Sequence, residues 1–96
     1  MAGPAEWAPA AVEDLEDIWG HIALDSPNAA DRVIRRLHAA AERLAEFPLI
    51  GVARDELAPG MRLWPVGSYV LLHRIDGRTV TIVRALWGGR DLPALF

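Results

Sequence analysis

The sequence contains no cysteine, so neither a disulfide framework nor thiolate chemistry is open to it. It contains no lysine either: all ten basic residues are arginine, which removes every mechanism that needs a lysine amine. No apolar run approaches the roughly 18 residues that would cross a bilayer. Met1 to Pro4 lack the basic start and hydrophobic stretch of a leader peptide. These absences give the expectation of a soluble, cytoplasmic chain with no transmembrane segment, and 96 residues suit one domain, 1–96, around a single core.

What charge there is divides unevenly. Residues 1–50 hold nine acids against four arginines, and residues 51–96 hold four acids against six arginines, so the halves carry -5 and +2 within a net charge of -3. The acids gather early, at Glu13, Asp14, Glu16 and Asp17, where a helix dipole would favour them. They read as a solvated helix face.

The most informative stretch runs from Arg62 to Arg90. Tyr69 to Ile75 and Thr79 to Trp87 are dense in Val, Ile, Leu and aromatic residues, and Asp76, Gly77 and Arg78 between them supply a tight turn. Asp-Gly between two apolar runs is a strong hairpin signal, because the turn that matches strand twist needs positive φ. Met61 to Val66 forms a further strand, turned back into Tyr69 by Gly67 and Ser68. Three antiparallel strands in sequence order result.

Upstream, Glu6 and Trp7 suit a brief strand. Pro9 then opens an amphipathic helix to about Leu24, with Val12, Leu15, Ile18, Trp19 and Ile22 as its apolar stripe. Ser26 and Pro27 start a second helix to about Ala45, its stripe formed by Ala30, Val33, Ile34, Leu37, Ala41 and Leu44. The short link makes the helices antiparallel neighbours. His21 and His38 read as surface or rim residues on them, and Phe47 as a last anchor on the core. Leu49 to Gly60 reads as a loop with room for a short strand. The expected fold is therefore α+β, an N-terminal helical hairpin on one face of a C-terminal antiparallel sheet.

Alternation makes both faces of the β-hairpin apolar. Tyr69, Leu71 and Ile75 alternate with Val70 and Leu72, while Val80, Ile82 and Leu86 alternate with Val83, Ala85 and Trp87. Two helices can cover only one face, so the expectation is an open second face awaiting a partner. Trp64 and Trp87 are its natural anchors. The apolar C-terminus after Asp91 either tucks under the domain or serves a partner.

Taken together, Trp7 before a helix bearing Ala11, Asp14, Leu15 and Ile18, then Asn28, Ala29 and Ala30 after a proline, form the start of a pattern. Leu44 with Phe47, Pro48 and Gly51, Arg62 ahead of Gly67 and Tyr69, and Arg84, Gly88, Arg90 and Asp91 at the end complete it. In that order and spacing the chain resembles the RelE/ParE toxin superfamily of bacterial toxin–antitoxin systems, and its ParE-type branch in particular. Trp87 stands where that family usually carries a histidine.

The resemblance implies a toxin neutralised by a cognate ParD-like antitoxin, a disordered segment that folds on the toxin surface. It implies a non-enzymatic inhibitor of DNA gyrase that needs no cofactor and no metal and makes no specific DNA contact of its own. Antitoxin contacts are assigned to Leu63, Trp64, Val66, Arg74 and Arg84, although Arg74 and Arg84 read first as strand-pairing residues. Target contacts are assigned to Trp87, Arg90, Asp91, Leu95 and Phe96. The RelE-like alternative is a ribosome-dependent mRNA endonuclease, which needs a proton acceptor, a donor and positive charge for the phosphorane-like transition state. Against the residues RelE-like proteins use, this chain has Met61, Leu63, Val70 and Phe96, so only Arg90 matches. His73 with Arg90 is the enzymatic pair that survives, with a degenerate toxin that only binds antitoxin as a third reading.

Overall fold

The computed structural model describes residues 3–96, and the reading of Met1 and Ala2 lies outside them. The chain runs β1 (Glu6–Trp7), α1 (Pro9–Ala23), α2 (Pro27–Glu46), a 3-10 turn (Pro48–Ile50), β2 (Val52–Ala53), β3 (Arg62–Val66), β4 (Tyr69–Asp76) and β5 (Thr79–Trp87). A last 3-10 turn spans Pro93–Leu95. The sheet order is β1-β5-β4-β3-β2. All neighbours are antiparallel except β1, which runs parallel to β5, so the sheet is mixed rather than purely antiparallel. The parallel pair arises because the whole helical hairpin lies between its two strands in sequence.

Both hairpin turns are two residues long. Val66 pairs with Tyr69 around Gly67 and Ser68, and Asp76 pairs with Thr79 around Gly77 and Arg78. In each the glycine comes first and takes positive φ, 58° at Gly67 and 62° at Gly77. A two-residue connection of this kind turns with the strands' own twist, and glycine adopts that φ without steric cost. Ser26 caps α2 as its position suggests, its Oγ accepting from the Ala29 N–H at 3.1 Å.

The stripe of α2 packs as its spacing predicts, with Ala30, Leu37, Ala41 and Leu44 buried. On α1 the stripe is rotated. Ala11, Asp14, Leu15 and Ile18 face inward, whereas Val12 and Trp19 are 43% and 41% exposed. Trp19 instead reaches across to α2, its indole N–H donating to Asp31 Oδ1 at 2.8 Å. Phe47 is likewise half out of the core, lying beneath the Arg43 guanidinium at 5.6 Å.

Asp14 is therefore no member of a solvated acidic face. Its Oδ2 accepts from Arg84 Nε at 2.7 Å and from the Ala85 backbone N–H at 2.9 Å, while Oδ1 accepts from Arg84 Nη2 at 2.9 Å. The bidentate pair raises the Arg84 pKa above its ordinary value, and Asp14 itself is 8% exposed. β1 covers the outer edge of β5 at Thr81 and Ile82, and the Asp14 carboxylate takes up a backbone donor further along, at Ala85.

β5 carries a bulge. His73 pairs with Ile82 and Leu72 with Arg84, leaving Val83 as the extra residue. Because a one-residue slip reverses the face of everything beyond it, Ala85 joins Val80, Ile82 and Leu71 under the helices. Leu86 falls on the opposite side with Val70 and Leu72. Simple alternation assigned Ala85 and Leu86 the other way round.

The second face is closed by the chain itself, which corrects the expectation of an open face. The β2–β3 connection folds back through Leu57 N to Arg54 O and Met61 N to Ala58 O, dropping Leu57 and Met61 onto the sheet. From the other end the tail delivers Leu92, 7% exposed, with Leu95 packed beside it. Two short segments that looked like loop and tail each contribute only one or two apolar side chains, enough to seal Val70, Leu72 and Leu86.

Asp14→Ala should lower stability by about 3 kcal/mol, since it strands a guanidinium and a backbone N–H at the helix–sheet junction. Glu13→Ala, one residue earlier and exposed, should stay within about 0.5 kcal/mol in the same urea titration. Leu92→Ala should cost about 2 kcal/mol by opening the second cluster. A chain cut after Asp91 should lose at least as much in thermal unfolding.

Candidate functional site

A concavity of about 490 Å³ opens between α1 and the ends of β4 and β5. Asp17, Ile18 and His21 of α1 form one wall, Ser68 and Tyr69 another, and Trp87 and Arg90 the third, with Asp14 and Ala85 among the lining. A smaller depression of about 80 Å³ lies on the far side of the same turn, between Val33, Arg36 and Leu37 of α2 and Val66. Ser68 and Tyr69 line both, so the β3–β4 turn forms a ridge between two hollows.

The exit from β5 shapes this site. Gly88 N–H donates to Ser68 O at 2.8 Å, and Arg90 N–H folds back to Trp87 O at 3.1 Å. The Trp87 ring lies over Gly89, where an added Cβ would stand 2.5 Å from the indole and displace the ring from this position. The result is an indole 60% exposed, with Arg90 beside it on the cavity wall.

Of the residues assigned to a target, Trp87 and Arg90 come together at this cavity. Asp91 and Phe96 are exposed on the tail and Leu95 packs against the second cluster, outside the cavity lining. The residues assigned to antitoxin are spread more widely. Trp64 and Val66 are half-buried on the helix side of β3, whereas Leu63 packs on the opposite face. Arg74 is exposed, and the Arg84 guanidinium is held by Asp14. β2 pairs with Arg62 and Leu63, so among the described residues the outer edge of β3 has no strand partner at Trp64, Pro65 and Val66. A proline on that edge is where sheets tolerate one.

His73 and Arg90 are not brought together. His73 has no exposed surface, its Nδ1 lies 3.3 Å from Leu71 O, and burial lowers its pKa below the ordinary 6.5. Along β4 it is four residues from Tyr69, about 13 Å of strand at the usual rise. The histidine that does line the cavity is His21, exposed at its rim, which agrees with its reading as a surface or rim residue. Asp14 was missed, although its spacing from Ala11 and Ile18 puts it on the buried stripe of α1.

Comparison with known proteins fits this architecture. A family profile described as "ParE toxin of type II toxin-antitoxin system, parDE" matches residues 5–93. Toxin ParE1 of Mycobacterium tuberculosis is 39% identical over 88 residues, 88% of this chain and 89% of that protein. Toxin ParE3 of Caulobacter vibrioides is 35% identical over 65 residues, 68% of this chain and 65% of that protein. Among solved structures, a chain from the chromosomal ParDE system of P. aeruginosa superposes with a TM-score of 0.75 at 22% identity, covering 88% of this chain and 94% of that one. A chain of the RelBE2 toxin–antitoxin complex of Mycobacterium tuberculosis gives 0.60 at 23%, covering 91% and 99%. A profile spanning β1 to the C-terminal turn, with relatives aligned over most of their length, shows that the chain belongs to the ParE toxin family of type II toxin–antitoxin systems.

Proposed function

We propose that this ParE-type toxin acts by occupying a protein surface, with no chemistry of its own, and that DNA gyrase is the surface it occupies. Gyrase rests on the family resemblance. The mode of action is supported by one structural observation: the residues at the cavity are suited to contact, with an exposed indole on Gly89 beside Arg90. Tryptophan and arginine are the side chains that most often dominate protein interfaces. The imidazole invoked for RNA cleavage is meanwhile sealed inside the sheet, where it reaches no substrate. A net charge of -3 also gives little attraction for a nucleic-acid backbone.

The neutralising partner in this reading is a cytoplasmic ParD-like antitoxin that folds on the toxin. Both solved neighbours come from toxin–antitoxin systems, which supports such a partner. Its contacts are placed at the free edge of β3, where Trp64 and Val66 offer half-buried apolar area and main-chain groups, with Arg74 on the same sheet.

In a gyrase supercoiling assay the purified toxin should inhibit, and Trp87→Ala should raise the concentration needed about 30-fold, the effect of losing a contact worth about 2 kcal/mol. Trp64→Ala should leave inhibition unchanged and weaken antitoxin binding about tenfold by calorimetry. Unimpaired supercoiling beside mRNA cleavage in a translation extract would replace this reading with the nuclease. Silence in both assays with tight antitoxin binding would mark a degenerate toxin.

A further inference from the structure

We propose that Gly51, Arg62 and His73 form a proton-operated latch that keeps β2 and the preceding 3-10 turn on the sheet and releases them when the imidazole takes up a proton. Release would uncover the outer edge of β3 at Arg62 and Leu63, lengthening the free edge that already exists at Trp64 to Val66.

Three features build the latch. Arg62 Nη2 donates to the carbonyls of Gly51 and Leu49, at 2.5 and 3.3 Å, clamping the 3-10 turn to β3. Gly51 closes over the His73 ring so tightly that an added Cβ would stand 2.5 Å from both Cε1 and Nε2. Among the described residues, neither His73 Nε2 nor Arg62 Nε, both buried, has a hydrogen-bond partner. With Nδ1–H directed at Leu71 O, the neutral ring leaves Nε2 as a bare lone pair, which is tolerable in that position.

A proton on Nε2 changes the balance. Among the described residues it becomes a buried donor with no acceptor, and the carbonyl of Gly51, the residue packed on the ring, already accepts from Arg62. It also adds a second cation beside the Arg62 guanidinium, which is the charged group acting on His73. The cross-strand residue Ile82 on β5 and Gly51 above the ring carry no charge to offset it. Water is the available remedy, and the segment over the ring is short and partly exposed. β2 is two residues long and pairs through Val52–Leu63 and Ala53–Arg62, and Leu49 and Val52 are 75% and 60% exposed.

The sign follows from proton linkage. The closed state binds the proton less well than the open one, so closure is fully favoured above the ordinary imidazole pKa of 6.5 and weakens as pH falls below it. One proton gives about a tenfold loss of protection per pH unit in that window. Hydrogen exchange of the intact protein, corrected for the intrinsic rate, tests this at pH 7.5, 6.5 and 5.5. The Arg54 amide, bonded to Met61 O, should lose about tenfold between pH 6.5 and 5.5, while the β4 amides hold. His73→Leu should flatten the profile. Because that variant can fail to fold, the wild-type imidazole is titrated by NMR alongside, with exposed His21 and His38 as reference. Titration of His73 that tracks opening of residues 49–54 supports the latch. A flat exchange profile, an equal loss in β4, or a pH dependence that survives in folded His73→Leu overturns it.

Discussion

The carboxylate of Asp14 is the point at which the helical layer and the sheet are tied together. Three donors converge on it, two from the Arg84 guanidinium and one from the Ala85 backbone, across about 70 residues of chain. An ion pair this sheltered contributes little net energy when compared with well-packed apolar residues, but removing either partner leaves an uncompensated polar group. What the pair supplies is position. It fixes α1 against β5 at the residues that follow the Val83 bulge, so the bulge, the face of Ala85 and the cavity wall all depend on one another. The concavity lined by Trp87, Arg90 and His21 exists because α1 is held at that angle.

The second constraint is the closing of the far face. A two-helix hairpin leaves one side of the sheet bare, and the chain solves this with Leu57 and Met61 from the β2–β3 connection and Leu92 from the tail. No antitoxin is required to complete the core. The partner surfaces proposed above accordingly lie at a sheet edge and a cavity rim instead of a sheet face. The tail also has two distinct parts. Leu92 and Leu95 belong to the fold, while Arg90, Asp91 and Phe96 are exposed. Any effect of shortening the C-terminus mixes folding with function unless the two parts are altered separately.

The three histidines illustrate how context divides one residue type. His21 lines the open cavity from α1, and His38 stacks its ring near Trp7 at 4.9 Å while staying exposed. His73 sits inside the sheet with one nitrogen unpartnered. Only the last is in a place where gaining a proton changes what the surrounding backbone can do. A nuclease step built on it would need the ring to meet substrate, and the ring is buried.

Much of this protein was legible from local pattern. Helix limits near Pro9 and Pro27, the Ser26 cap, both glycine turns and the strands from Arg62 to Trp87 follow from side-chain period, backbone φ and hydrogen-bonding capacity, all of which act over a few residues. The order of elements with scattered residues such as Trp7, Leu44 and Arg90 was enough to indicate the family. What the sequence could not decide were the features that depend on distant contacts. Asp14 looked solvated until Arg84 met it, Ala85 and Leu86 exchanged faces through a bulge set by strand pairing, and Leu57 and Leu92 became core only once both folded under the same sheet. The partners lie from 9 residues away, His73 and Ile82 at the bulge, through 35 for Leu57 and Leu92, to 71 for Asp14 and Ala85, and the periodicity of a single element carries no information about any of them.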